Sequence, residues 1–160
     1  MPDPAARTPD GLTVDSTVLG FDVGSRRIGV AIGSLHGGGA RALAVVDVRA
    51  DGPDWAALDR LQREWLPGGL IVGDPLTLDG EDQPIRRRAH AFARQLAQRY
   101  RLPVRLVDER SSSVEAARRF ATERAEGRKR RRDAATLDAV AAAVIVERWL
   151  SAPDQAIPVS

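Results

Sequence analysis

Thr17-Val-Leu-Gly-Phe-Asp-Val-Gly-Ser-Arg-Arg-Ile-Gly-Val-Ala-Ile32 decides how this chain begins to fold. Thr17–Val23 is rich in β-branched and apolar residues and reads as a buried strand. Gly24-Ser25-Arg26-Arg27 is a tight turn, and Ile28–Ile32 is a second strand. So short a connection predicts an antiparallel hairpin. Past the glycine tip Gly37-Gly-Gly39, the stretch Arg41–Val48 supplies a third strand, and the three form a meander. Within the first strand stands one carboxylate, Asp22. In apolar surroundings such a group is costly unless it is paired, hydrogen-bonded or bound to a metal.

The pattern then changes. Pro53 opens a helix, with Asp51 or Gly52 near its cap. Trp55, Leu58, Leu61, Trp65 and Leu66 recur along it at helical spacing, and the two tryptophans are expected in the core. Gly68-Gly69 ends the helix, and Leu70–Val72 is a short strand. A loop over 73–82 leads to a helix from Pro84. Pro103–Val107 is a fifth strand. Further helices are expected at Ser112–Ala125 and Asp133–Leu150. The sum is an α/β fold: a five-stranded mixed sheet, three strands in a meander and two parallel, with helices on both faces. Residues 1–13 read as a disordered tail, 14–150 as one domain and 151–160 as a C-terminal tail.

Composition narrows the chemistry. The chain has 160 residues, 43% hydrophobic but only 4% aromatic, so its core is aliphatic. With no cysteine there is no disulfide framework, thiolate zinc site or cysteine nucleophile. No apolar run reads as a signal peptide or a membrane span, and a cytoplasmic location is expected. Net charge is +2 and the pI about 9.9, because Lys129 is the single lysine among many arginines. Arg86-Arg-Arg88 and Arg128-Lys129-Arg130-Arg131-Arg132 concentrate that charge in forks suited to phosphate.

Three acids in apolar contexts are candidates to converge. Ligand sites in open α/β sheets lie at the carboxyl ends of parallel strands. Asp22, Asp74 and the Asp108-Glu109-Arg110 segment all fall at such ends. Neighbours in an extended segment face opposite ways, so one of Asp108 and Glu109 enters the site and the other is free to cap the helix that follows. Asp138 lies in the Ala/Val/Ile-rich stretch 134–146, whose alanines permit close approach to the sheet. Pairing with a preceding arginine is an alternative role for it. Three such carboxylates could hold one or two Mg²⁺ or Mn²⁺ ions, with nearby arginines placing a phosphate backbone. His36, in the glycine tip, and His90, mid-helix among arginines, read as surface residues.

Four segments in order, Phe21-Asp-Val-Gly-Ser-Arg-Arg-Ile-Gly-Val-Ala31, Ile71-Val-Gly-Asp-Pro-Leu-Thr-Leu-Asp-Gly80, Val107-Asp-Glu-Arg-Ser-Ser-Ser113 and Leu137-Asp-Ala-Val-Ala-Ala-Ala-Val-Ile145, resemble the YqgF (RuvX) family over roughly 17–150. The resemblance implies an RNase H-like fold and a metal-dependent nuclease. It selects Glu109 over Asp108 and implies a catalytic, metal-binding triad of Asp22, Glu109 and Asp138. Arg26, Arg110 and the 128–132 run are expected as nucleic-acid contacts, with Asp74 and Asp108 as accessory acids. The family is associated with maturation of the 5′ end of 16S rRNA, and its kinship with Holliday junction resolvases implies branched DNA as the alternative substrate. A monomer or homodimer acting on precursor rRNA or the ribosome's precursors fits this reading. Other classes stay open: a non-catalytic rRNA-binding assembly factor, or an actin-like or sugar-kinase-type nucleotide-binding protein. One departure is conspicuous: where the family usually has Gly-Leu-Pro, this chain has Gly73-Asp74-Pro75.

Overall fold

A computed structural model of the chain describes residues 12–13, 15–75, 84–108 and 133–159, the side chains of 133–136 excepted. Glu109, Arg110, the helix expected at Ser112–Ala125 and the basic run 128–132 lie outside these. The hairpin forms as its sequence predicts. Strands β1 (Val18–Val23) and β2 (Arg27–Ser34) pair antiparallel, with Asp22 opposite Gly29. The Gly24 N–H closes the turn on the Arg27 carbonyl at 2.9 Å. Strand β3 (Gly39–Arg49) continues the meander, with a bulge where β2 passes from Val30 to Ala31.

Two parallel strands follow on the other side of β1. These are β5 (Gly69–Asp74) and β6 (Val104–Asp108), each preceded by a helix: α1 (Trp55–Trp65) before β5 and α2 (Pro84–Tyr100) before β6. Helix α3 (Asp133–Ser151) closes the fold. The mixed α/β sheet with helices on both faces is therefore present, but it has seven strands and not five; with β4 (Gly52–Pro53) and β7 (Ile157–Val159) at its ends, the order is β4-β3-β2-β1-β5-β6-β7. The additional strands are these two ends. Strand β4 folds back on β3, and β7, within the expected C-terminal tail, pairs antiparallel with β6. Both are too short to show a two-residue period, and β7 carries Pro158, a residue confined to positions such as this edge. Pro53 thus belongs to β4 and does not open α1. Asp54 caps that helix instead, its carboxylate accepting from the Ala57 N–H at 3.2 Å.

Alternation along the strands sorts the core into two layers. Leu19, Phe21, Val23, Ile28, Val30, Leu70, Val72, Val104 and Leu106 pack with Leu58 of α1 and with Ala89, Phe92, Ala93 and Leu96 of α2. Val18, Ala31, Ile71 and Val107 face the other way, against Ala142, Ala143, Ile145, Val146 and Trp149 of α3. On the α3 side the strands carry glycine where the helix comes nearest. A Cβ at Gly20 would strike the Val146 side chain, and one at Gly29 would fall on the Asp138 carbonyl. The helix is seated on bare backbone at both points. The first layer is joined at its rim by one ionic clasp. Arg99 of α2 forks onto Asp59 of α1 at 2.8 and 2.6 Å, and the Tyr100 hydroxyl donates to the same carboxylate at 2.6 Å. These bonds, Arg99's foremost and Tyr100's next, hold the Asp59 carboxyl down at about 2. Burial, and then the bond to Asp59, push the Tyr100 hydroxyl up.

Two outcomes follow for stability. Gly29→Ala places a methyl against a backbone carbonyl that is unable to swing away, so it should cost about 1–3 kcal/mol in urea denaturation. Asp59→Asn should cost about 1 kcal/mol or less at pH 7, because the clasp is partly solvated. A carboxyl lowered by folding stabilises above its unfolded pKa and loses that contribution as pH falls through its folded value. The gap between wild type and Asp59→Asn should therefore close between about pH 4 and pH 2, measured by denaturation across that range.

Candidate active site

The carboxyl ends of β1, β5 and β6 lie at one edge of the sheet, as the parallel pairing of these strands requires. Asp22 sits next to the end of β1. Directly opposed residues of an antiparallel pair project to the same face, so Asp22 shares the face of Gly29, which is the α3 face. Gly20, two residues earlier and also beneath α3, gives the same answer. Asp138 comes to this place from the helix, because its carbonyl is what lies over Gly29. One missing Cβ thus brings the backbone bearing the second carboxylate down beside the first.

Asp138 is held by a residue that sequence reasoning passed over. The Arg27 Nε donates to Asp138 Oδ2 at 2.8 Å, and the two side chains are 41% and 33% exposed, so the pair is open to solvent and to a ligand. Pairing with a preceding arginine is the alternative role for Asp138, and among the described residues the arginine that meets it is Arg27 of β2, while Arg128, Arg130, Arg131 and Arg132 lie outside them. Arg26, one residue earlier, is exposed in the turn. The signal that could have found Arg27 is the strand period, which puts it on the face of Gly29 and Ala31.

Asp74 takes the other face. It alternates with Leu70 and Val72 towards α2, and is only 3% exposed. Arg86 Nε donates to its Oδ1 at 3.1 Å, and His90 Nε2 lies 3.0 Å from the same oxygen. His90, expected at the surface, is thus a half-buried partner of a buried acid. The spacing of Arg86 and His90, four apart and so on one side of a helix, was visible; their partner twelve residues before Arg86 was not. Asp108 is the register partner of Asp74, and its carbonyl accepts from Arg148 Nη1 at 2.8 Å. Among the described residues no three His, Asp or Glu side chains gather as a metal site. Asp22 of β1 and Asp138 of the helix seated over its register partner Gly29 are two hard oxygen donors on the same face of the sheet, and Glu109, the third expected member, lies outside the described residues. Two carboxylates with a guanidinium beside them suit a hard divalent cation and a phosphate.

The comparisons with known proteins agree with this architecture. A family model described as RuvX, Holliday junction resolvase, matches residues 16–152. A protein of Xanthomonas axonopodis pv. citri (strain 306), named "Putative pre-16S rRNA nuclease", is 72% identical over 156 residues, which cover 98% of this chain and 97% of that one. A protein of the same name from Xanthomonas oryzae pv. oryzae (strain PXO99A) matches to the same extent. Among solved structures, Thermus thermophilus RuvC in complex with a Holliday junction substrate superposes with a TM-score of 0.52 at 18% identity, covering 89% of this chain and 98% of that one. That likeness is one of fold, and the fold is RNase H-like. The four motifs, the family match from residue 16 to 152 and the near full-length relatives converge: the chain belongs to the RuvX family of resolvase-type nucleases.

Proposed function

We propose that this protein is a divalent-metal-dependent nuclease that hydrolyses phosphodiesters of structured RNA, processing the 5′ end of precursor 16S rRNA in the cytoplasm. The observation that carries this reading is the seating of Asp138 over Gly29, opposite Asp22, at the carboxyl edge of the sheet. Asp22, Glu109 and Asp138 would hold Mg²⁺ or Mn²⁺, which supplies an activated water and neutralises charge on the phosphate. The donor set is all oxygen, as a hard cation requires. Glu109 follows two residues after Val107, whose side chain packs with the α3 layer.

The chain's own residues have separate tasks. Asp22 and Asp138 bring negative charge to the α3 face of this edge, and Gly29, by lacking a Cβ, lets the helix backbone that carries Asp138 settle there. Arg27 balances Asp138 and offers a guanidinium to a phosphate oxygen at the same place. Arg26, exposed in the adjoining turn, is available to the flanking backbone, as are Arg110 and Arg128 to Arg132 by their sequence. The relatives' name points to precursor 16S rRNA. The family description, Holliday junction resolvase, supports a second reading, cleavage of branched DNA, which would require two copies facing two symmetric strands.

Asp22→Asn and Asp138→Asn should each lower cleavage of a precursor 16S rRNA fragment in Mg²⁺ or Mn²⁺ by more than about 100-fold, since even residues that only support a metal's ligands are worth 10–100-fold. Wild-type rates in both variants would sink the triad. One preparation assayed on that fragment and on a four-way DNA junction should cut the RNA faster. Preference for the junction, by a dimer, would select the second reading.

A further inference from the structure

A cavity of about 300 Å³ along α2 is lined by Arg86, Arg87, His90 and Arg94. The lining repeats at helical spacing. Residues 86, 90 and 94 form one stripe, and 87 lies beside it, three before 90 and seven before 94. Three guanidiniums and an imidazole around one hollow make it a place for an anion, and guanidinium forks match a phosphate.

Two of these residues hold Asp74. Its buried carboxylate binds Arg86 Nε and His90 Nε2 at 3.1 and 3.0 Å, both through Oδ1. Arg86 thereby spends its Nε on the acid and keeps its terminal Nη groups for a ligand. His90 keeps Nδ1 as its second polar atom. Two members of the lining are thus held in place before any ligand arrives, which reduces the entropy cost of binding one. Arg94 is exposed and touches no carboxylate among the described contacts, so its charge is not needed to balance Asp74. The place of the cavity is also informative. Strands β1 and β5 are adjacent and parallel, with Phe21 beside Val72, so Asp22 and Asp74 stand near the ends of neighbouring strands on opposite faces. A nucleic-acid strand crossing that edge would meet both.

We propose that Arg86, Arg87, His90 and Arg94 form a phosphate-binding pocket for the nucleic-acid substrate, and that Asp74 is its positioning residue and not a ligand of the metal. The source of the phosphate rests on the nuclease reading; the pocket itself does not. Phosphate is a chain end or an internal diester, and the test separates the two.

The test is fluorescence anisotropy with the full chain and a short single-stranded RNA, labelled at its 3′ end, in EDTA. Arg94→Ala should weaken binding about 3- to 10-fold and reduce the salt slope by about 0.7, the value of one phosphate contact on a single strand. Asp74→Asn should weaken it similarly by releasing Arg86 and His90, and Arg94→Lys should restore part of the loss. Arg88→Ala, an exposed arginine of α2 outside this lining, is the control and should change binding less than 2-fold. Wild-type affinity in Arg94→Ala, or an equal loss in Arg88→Ala, would overturn the pocket, the latter by showing only a diffuse basic helix. The strand is used with a 5′-phosphate and with a 5′-hydroxyl. A loss on removing the phosphate that disappears in Arg94→Ala assigns the pocket to a chain end. Equal binding of both strands, weakened alike by Arg94→Ala, assigns it to an internal phosphate. Arg94 is exposed on the helix, so its replacement leaves the core intact, and a thermal melt confirms this. Binding is read without divalent metal, so failure of the pocket and failure of the cleavage reading register separately.

Discussion

The contact between helix α3 and the backbone of β1 and β2 is the constraint from which the rest of this structure follows. Two layers of side chains would ordinarily separate a helix from a sheet. At Gly20 and Gly29 one of those layers is missing, and the helix descends onto the strands. Its alanines supply the complementary small surface, and the buried stretch Ala139–Val146 then needs few large residues to close the layer. Packing at this density tolerates little change in volume. The same contact sets the position of Asp138 along and above the sheet. Stability and the candidate site therefore draw on one piece of geometry.

Charge at the carboxyl edge is divided by the sheet. Asp22 and Asp74 lie near the ends of adjacent parallel strands, yet strand alternation sends one to α3 and the other to α2. On the α3 side, Arg27 and Asp138 form a solvent-open pair that a ligand can enter. On the α2 side, Asp74 is buried, and a buried carboxylate must be paired and hydrogen-bonded. Arg86 and His90 meet that demand. The acid that breaks the family's usual loop pattern is therefore matched to two basic residues on the next helix. It lies on the face of the sheet opposite Asp22.

What could be read in advance was local. The β1–β2 hairpin, the helices from Pro84 and Asp133, the parallel strands and the glycine-flanked Asp22 all announce themselves through residues a few positions apart. The resemblance carried by four ordered segments identified the family. The rest escaped for one shared reason. Strands β4 and β7 are two and three residues long and exist through their partners. Asp54 was an unremarked acid until the chain before it paired with β3, which left it as the cap of α1. Asp59 and Arg99 stand 40 residues apart, and Asp74 and His90 sixteen.

By itself, then, the sequence determined the three-strand meander, the two parallel strands and the helices from Pro84 and Asp133, because these depend on steric preferences and on apolar periods of two and 3.6 residues; the family came from the resemblance of four ordered segments. Only the tertiary structure decided which charges meet. Arg27 and Asp138 are 111 residues apart, and nothing local to either specifies the other. Their meeting depends on a helix lying within reach of the strand, and that distance is set by a side chain that glycine does not have.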